Sequence, residues 1–331
     1  RFLDDRMSLS FTYYDNIIEG ILLDVTLSPS SGYATQYGNY GEMTNIGMEI
    51  DWGYDIIDEA DFGLSTAINW SRNDNEVTDL YGTETINLSP GASVSSRAVV
   101  GYPLGVLYGT GSKTNPDGSF ELNSNGFPQI TSSPIVLGDP NPDWRAGVSM
   151  NMRYKKWRLN AVLEHSHGGE FSPRTLWVLN RFGTTAETAN RLTLDQPLVN
   201  YRGNTIAAGT TVRGNIKDFG GGPVLLDENW YRTGIGGGFG DNQAYNFSIA
   251  DATWTKLRDL SLSYIWDDSR IKSLGLSDVI LTFTGRDLIN INEVDGIDPE
   301  INTKGVSVAQ GVEYFTNPQT KGFLFSLTIN Y

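Results

Sequence analysis

Residues 45–56, NIGMEIDWGYDI, alternate between large apolar side chains and small or acidic ones without interruption. The apolar positions run from Ile46 to Ile56, and only glycine, glutamate or aspartate stands between them. Successive side chains of a β-strand point to opposite faces, so this alternation predicts a strand with one apolar face and one polar face. That apolar face has to cover either a protein core or lipid.

Seven further stretches repeat the alternation: residues 7–13, 62–70, 144–154, 157–163, 260–266, 279–283 and 323–331. The connections between these strands alternate in length. Residues 57–61, 155–157 and 267–277 are short connections, whereas residues 15–44, 73–143, 167–252 and 287–321 are long ones. Tight periplasmic turns and long extracellular loops are typical of outer-membrane barrels. We therefore predict an all-β fold, a transmembrane antiparallel β-barrel, with a soluble β-sandwich as the alternative.

Aromatic residues near the strand ends favour the membrane interpretation. An outer-membrane barrel carries aromatic girdles at both lipid–water interfaces, whereas a sandwich core gathers its aromatics at the strand centres. The residues at or near strand ends on the apolar face are Trp52, Tyr54, Trp144, Tyr154, Trp157, Tyr264, Trp266 and Tyr331.

Composition excludes several other classes. The 331 residues include no cysteine, so disulfides, thiolate metal sites and cysteine nucleophiles are absent. A net charge of −15 would repel nucleic-acid phosphates, which makes nucleic acid an unsuitable partner. No apolar run approaches the roughly 18 residues of a transmembrane helix, so a membrane role would have to use strands.

Several segments together resemble the SusC/RagA-like TonB-dependent outer-membrane transporters of Bacteroidetes, in the order that this family shows. The segments are LSFTYYDNIIEGILLDVTLSPSSGY (9–33), NYGEMTNIGMEIDWGY (39–54), VGYPLGVLYG (100–109), LGDPNPDWRAGVSM (137–150), HGGEFSPRT (167–175), ATWTKLRDLSLSY (252–264), GRDLI with VDGIDPEIN (285–302), and GFLFSLTINY (322–331).

The resemblance implies a plugged outer-membrane barrel of about 22 strands. Residues 1–331 would be its C-terminal portion and would supply the last eight or so strands, whereas the plug and the TonB-contacting segment are absent from the chain. A self-contained eight-stranded barrel is the structural alternative.

The same resemblance implies active import of a glycan or an oligopeptide. A SusD-like surface lipoprotein would capture the substrate, and TonB–ExbB–ExbD would act through the absent part. The remaining partners would be the rest of the barrel, the plug and outer-membrane lipid. We predict no enzymatic activity and no cofactor. A structural or adhesive outer-membrane barrel and, less favoured, an outer-membrane hydrolase are the alternatives.

Two groups of residues are candidate sites. Trp177, Trp230 and Tyr231 lie in long connections, where they could stack on sugar rings or simply pack within the loops. The resemblance also implies that the closing strand is an assembly signal for the outer membrane, with an apolar face made by Phe323, Phe325, Leu327, Ile329 and Tyr331.

Three motifs have weaker functional interpretations. His165 and His167 could grip a metal or provide a base, but no third ligand has suggestive spacing. The acidic segment 293–302 lacks the spacing of a calcium loop and is more simply a turn, with calcium in acidic loops as the alternative. The segment 234–240, GIGGGFG, lacks the following lysine of a phosphate loop and is interpreted as flexible.

Residues 175–182 are predicted to form a short helix that begins near Ser172 and Pro173.

Overall fold

One long antiparallel sheet, the barrel sheet, organises the molecule. The computed structural model describes residues 2–89, 94–233, 244–303, 305 and 310–331. The first strands are β1 (Met7–Thr26), β2 (Thr35–Asp58), β3 (Phe62–Asp79), β4 (Thr85–Ser89), β5 (Ser95–Val99), β6 (Val106–Gly109), β7 (Ile135–Gly138), β8 (Trp144–Tyr154) and β9 (Trp157–His167).

The remaining strands are β10 (Glu170–Pro173), β11 (Arg191–Thr193), β12 (Leu198–Val199), β13 (Thr205–Ile206), β14 (Thr211–Arg213), β15 (Asn215–Asp218), β16 (Pro223–Leu226), β17 (Ala250–Asp251), β18 (Trp254–Trp266), β19 (Asp278–Asn292), β20 (Val312–Glu313) and β21 (Gly322–Asn330). The α-helices are α1 (Arg174–Phe182), α2 (Ala186–Ala189), α3 (Glu228–Thr233) and α4 (Ser269–Ser273), and Pro29–Ser31 and Tyr245–Ser248 form 3-10 turns. None of the helices in the described part of the chain is long and apolar enough to span a membrane.

The barrel sheet confirms all eight predicted strands. Its strand order is β1-β2-β3-β8-β9-β18-β19-β21, so each strand pairs with the next sheet strand along the chain. Residues 59–61, 155–156 and 267–277 connect strands at one end, called the inner end. The longer connections all lie at the other end, called the outer end. The sheet is therefore an antiparallel meander with loops sorted by length between its two ends.

The prediction of a long loop over residues 15–44 is wrong, because β1 and β2 continue as a paired hairpin and leave only residues 27–34 outside the strands. Gly20 explains the difference. It adopts a φ of +69°, and the register shifts on both sides of Ile21. The extra residue of this bulge inverts the alternation, so the outer half of β1 shows no continuous period of two.

The sheet is open. Among the described residues, β1 and β21 form its two edges, and each pairs with one sheet strand, β2 and β19 respectively. The alternative of a self-contained eight-stranded barrel is thus not what the chain forms. The strands instead make a sheet segment whose two outer edges have no strand partner among the described residues.

The two faces of the sheet differ as the alternation predicts. The apolar face exposes Leu9, Phe11 and Tyr13 on β1 and Phe283 on β19. On the polar face, small and polar residues surround a shallow depression of about 250 Å³. Gly47 on this face is required by its partner Tyr14, because a Cβ at position 47 would overlap the Tyr14 ring. The Tyr14 hydroxyl donates a hydrogen bond to Asn73 Oδ1 at 2.9 Å.

The long connections fold into a packed layer at the outer end, called the cap. The strands β4–β7 form one of its small sheets. Aromatic and aliphatic residues from connections that are distant in sequence meet in its largest core, which contains Phe127, Phe219, Val224, Leu226, Trp230, Tyr231 and Ala244. A second core joins Leu23 of the long hairpin to Val77, Leu80, Ile86 and Ala98. The turn-rich segments that composition would assign to exposed loops therefore contain buried cores.

Candidate functional site at the outer mouth

The candidate site lies where the polar face of the sheet meets the cap, at the outer ends of β9, β18 and β19. This place is called the outer mouth below. A bulge in β18 creates it. The register with both neighbouring strands shifts between Leu257 and Asp259, leaving Arg258 unpaired. Leu257 pairs with Leu163 on the apolar face, so Lys256, which pairs with Glu164, points to the polar face. The alternation of residues 260–266 does not extend through this bulge, which is why sequence reasoning missed Lys256 and Arg258.

Lys256 is fully buried and surrounded by oxygen atoms. Its Nζ donates to Asp298 Oδ1 at 2.8 Å, Asp298 Oδ2 at 2.7 Å and Glu300 Oε2 at 2.6 Å. Gln319 Oε1 accepts a longer hydrogen bond at 3.3 Å. The ammonium also lies 4.9 Å from the centre of the Trp254 ring, a distance that allows a cation–π interaction. This lysine is therefore the counter-ion of the acidic turn that begins at Asp298.

Arg258 extends the same cluster. Its Nε donates to Glu164 Oε2 at 2.6 Å, and its Nη2 donates to Glu300 Oε1 at 2.5 Å. Nη1 lies 3.5 Å from Asp287 Oδ1, and the guanidinium stands 4.9 Å from the Trp254 ring centre. Lys256, Arg258, Asp298 and Glu300 are called the Lys256 clamp below.

The clamp changes the protonation of Glu300. Burial would raise the pKa of this carboxyl, but hydrogen bonds from Arg258 and Lys256 outweigh burial and lower the pKa to about 2. Glu300 is therefore ionised across the physiological pH range. The fully buried pair of the clamp is Lys256 with Asp298. Removing one partner of a buried pair typically costs about 3–5 kcal/mol, because an unpaired charge remains out of contact with water.

The acidic segment 293–302 thus has a protein counter-ion at two of its carboxylates. Asp298 and Glu300 face Lys256 and Arg258, and Asn290 Nδ2 donates to Asp298 Oδ2 at 3.2 Å. Calcium in other acidic loops stays a prediction.

The two histidines lie on the opposite, apolar face. His165 and His167 pack against Trp144 with ring centres 4.9 and 5.2 Å apart, and His165 Nδ1 lies 2.8 Å from Thr255 Oγ1. No group of three or more His, Asp or Glu side chains that could hold a metal ion occurs in the portion of the chain that the structure describes. The geometry supports aromatic packing near the outer end of the sheet.

The three aromatic candidates differ in exposure. Trp230 and Tyr231 are only 4% and 5% exposed, which favours the alternative that they pack within the loops, and their role as substrate contacts stays a prediction. Trp230 packs against Phe219 and Phe127. The Tyr231 hydroxyl donates to Glu187 Oε1 at 2.9 Å, and burial, reinforced by Glu187, raises the pKa of this phenol. Trp177 on α1 is half-buried, and its role as a substrate contact stays a prediction.

The predicted helix is confirmed as α1, but its N-terminal partner comes from far along the chain. Pro173, the N-cap residue of this helix, offers no side-chain hydrogen bond. Glu313 instead accepts from Thr175 N at 3.2 Å and from Thr175 Oγ1 at 2.7 Å. This contact ties the last two long connections together.

Two further sequence features have simple outcomes. The closing strand exposes its apolar face, comprising Phe323, Phe325, Leu327, Ile329 and Tyr331. Its role as an assembly signal stays a prediction. The glycine-rich segment 234–240 lies outside the described residues.

Comparison with known proteins identifies the fold. The family model "TonB dependent receptor-like, beta-barrel" matches residues 1–163. TonB-dependent receptor P3 of Formosa agariphila is 26% identical over 99% of this chain, and TonB-dependent receptor P26 of the same organism is 23% identical over 98%. The chain spans about a third of the length of these relatives, at 33% of each.

Solved structures agree with the sequence relatives. The RagAB peptide transporter superposes with a TM-score of 0.67 and 17% identity over 99% of this chain and 34% of its own. The RagAB peptide importer in its closed-closed state gives a TM-score of 0.66 and 18% identity. Both matches use almost all of this chain and a third of the solved one. The chain thus matches the TonB-dependent receptor β-barrel model over residues 1–163, and over nearly its whole length it is similar in sequence to TonB-dependent receptors and in fold to RagAB.

Proposed function

We propose that the chain is the C-terminal portion of a TonB-dependent importer and supplies about the last eight strands of a barrel of about 22. The open sheet is the observation that carries this proposal. It matches a solved transporter over 99% of the chain but only 34% of that transporter, which supports a barrel completed by further strands. The polar face would then line the lumen, where the plug of such a transporter would lie.

The cap and the outer mouth would face the cell exterior. A SusD-like surface lipoprotein would cover the mouth and capture substrate there, which the RagAB name of the fold neighbours supports in kind. TonB–ExbB–ExbD would supply energy through the TonB-contacting segment of such a transporter. Import would need no covalent chemistry, so the chain would not act as an enzyme or hold a cofactor.

The substrate would be an oligopeptide or a glycan. The fold neighbours are described as a peptide transporter and a peptide importer, which supports the first class. Support for sugar stacking is weaker than the sequence indicated, since Trp230 and Tyr231 belong to the cap core. Trp177 is the candidate contact that remains half-exposed.

Uptake by cells that express the full-length protein tests the proposal. Fluorescent oligopeptides and fluorescent oligosaccharides would be offered in parallel, with and without a protonophore. We expect uptake of one class that the protonophore abolishes, while binding at the cell surface persists. Uptake of neither class in a correctly assembled protein would contradict import and favour a structural or adhesive barrel.

A deletion of residues 184–240 sharpens this test, because it removes Trp230 and Tyr231 from the cap and leaves every strand of the barrel sheet in place. We expect lost uptake with normal barrel assembly, measured by the shift in gel mobility on heating. The variant His165→Ala is the control for a hydrolase. Hydrolysis of either probe that this variant abolishes would replace the import proposal.

A further inference from the structure

The last long connection, residues 293–321, is held at the outer mouth by two separate attachments. The first is the Lys256 clamp, in which Lys256 on the polar face of β18 binds Asp298 and Glu300 of this connection. Asn290 on β19 adds a hydrogen bond to Asp298. The acidic turn is thus bound to two strands of the sheet rather than projecting from it.

The second attachment is a small sheet above the strand ends. β20 pairs in parallel with β10, and β17 pairs with the other edge of β10. Ser172 N donates to Gly311 O at 2.8 Å, and Glu313 accepts from Thr316 N and Oγ1 at 3.2 and 3.0 Å, besides its bonds to Thr175. Glu313 and Ser172 are almost completely buried.

The long connection that precedes β8 also contacts this small sheet. Gln310 Nε2 donates to Asn141 Oδ1 at 3.4 Å, and a Cβ added to Gly311 would lie 2.6 Å from Pro140. Asp139 and Glu170 exchange two further hydrogen bonds, of which Glu170 N to Asp139 O measures 2.6 Å. We call residues 139–143, 170–173, 250–251, 298–303 and 310–313 the collar. The collar therefore links three long connections to one another and, through Lys256, to the wall.

We propose that the collar is a fixed part of the outer mouth and that Lys256 is the residue that positions it. On the proposed transport function, on which this inference rests, solute would pass the collar without displacing it, and gating would lie in other elements. The physical reason is that opening the collar would separate Asp298 and Glu300 from their buried counter-ion, Lys256. The same motion would break the β10–β20 pairing.

Ser172 offers a direct probe of collar motion. Its hydroxyl has no hydrogen-bond partner among the described residues, and the residue is fully buried within the collar. A Ser172→Cys substitution replaces one small group by another, and residues 1–331 contain no other cysteine. Any cysteine elsewhere in the full-length protein would first be replaced by serine. The rate at which a membrane-impermeant maleimide labels that thiol in intact cells therefore reports how often the collar opens.

The experiment compares the Ser172→Cys protein, in its full-length form, with the same protein carrying Lys256→Met. We expect slow labelling in the first and labelling faster by on the order of a hundredfold in the second. Lys256→Arg should restore slow labelling. Lys156→Met is the matched control, because it removes an ion pair at the inner end and should leave the rate unchanged. Equal rates in the Lys256→Met and control proteins would remove the positioning role.

Whether the collar stays fixed during transport is tested by labelling cells with and without a proton gradient. In cells offered a casein hydrolysate, labelling at position 172 should be the same with and without a protonophore. A rise in labelling that requires the proton gradient would overturn the inference even when uptake is normal. Missing uptake in the unmodified protein would instead contradict the proposed function, so the two failures are distinguishable.

A cross-link provides an independent measurement. The pair Asn141→Cys and Gln310→Cys, bridged by a short bifunctional thiol reagent, would lock two connections of the collar. We expect uptake to persist at the rate of the unbridged pair. Loss of uptake on bridging, with surface expression unchanged, would show that the collar has to move.

Discussion

The two ends of the barrel sheet hold ion pairs of the same chemical kind in opposite environments. At the inner end, Lys156 Nζ lies 2.5 Å from Asp267, and their side chains are 41% and 47% exposed. At the outer end, Lys256 lies at similar distances from Asp298 and Glu300 but is buried. Exposed pairs contribute about 0–1 kcal/mol, whereas loss of one partner from a buried pair costs about 3–5 kcal/mol. Environment, rather than distance, therefore makes the outer end the constrained one.

The largest effect that would sharpen this comparison is expected in the cap core. Trp230→Ala removes a buried indole from a cluster of aromatic rings and should cost about 3–5 kcal/mol. The damage should stay within the cap, because the barrel sheet makes its own backbone pairs. Faster proteolysis of the cap, with the heat-dependent gel shift of the barrel unchanged, is the measurement.

The control for that change is Phe182→Ala on α1, where the ring is 73% exposed. It should leave proteolysis within about twofold of the unmodified protein, since little apolar area is lost from a buried environment. Equal sensitivity of the two variants would mean that the cap is not stabilised by its buried aromatics.

A smaller effect should follow from acidification of the clamp. The pKa of Glu300 falls from its ordinary value of 4.5 to about 2 in the folded protein, so its ionised form stabilises the fold. That contribution is complete above about pH 4.5 and is lost as the pH falls through about 2. Hydrogen-exchange protection of the Ser172 amide should therefore be constant from pH 7 to 5 and decline below 4.5.

Other carboxyls lie close to Glu300, so a matched variant is needed. Glu164, Asp287 and Asp298 face the same two cations, and Glu170 and Arg145 lie around the adjoining small cavity. Glu300→Gln should flatten the part of the decline that belongs to Glu300. An unchanged decline in that variant would assign the pH dependence to the other carboxyls.

The smallest effect is expected at the inner end. Lys156→Met removes an exposed pair and should barely change the midpoint of thermal unfolding, because solvent screens the two charges. Thermal unfolding of the full-length protein at low and high salt is the measurement. A loss comparable to that of a buried pair would erase the distinction between the two ends.

The alternation of residues predicted the barrel sheet because each strand places lipid-facing and lumen-facing side chains at fixed parity. It failed where parity changes. The bulge at Gly20 concealed the outer half of the long hairpin, and the bulge at Arg258 concealed Lys256. Neither bulge leaves a periodic signal, since one unpaired residue shifts every later side chain to the other face.

The cap was harder to predict for a different reason. Phe127 and Trp230 pack at a ring distance of 5.6 Å although they come from two separate connections rich in glycine and asparagine. Local composition describes such segments as turns, and it carries no information about partners a hundred residues away. The same limit applies to Glu313, whose contact with Thr175 spans 138 positions and so could not be read from the sequence around α1.

The open edges of the sheet have a consequence for membrane insertion. β1 and β21 each present a row of backbone donors and acceptors without a sheet partner among the described residues. Hydrocarbon offers no substitute for a missing hydrogen bond, and each unsatisfied group there costs several kcal/mol. On the proposed function, in which further strands complete the barrel, these eight strands therefore cannot enter the bilayer as a finished unit before their neighbours. Membrane insertion and pairing of the two edge strands therefore have to occur together. An intermediate that stalls before pairing would expose two unpaired strand edges, which could pair wrongly with another folding barrel.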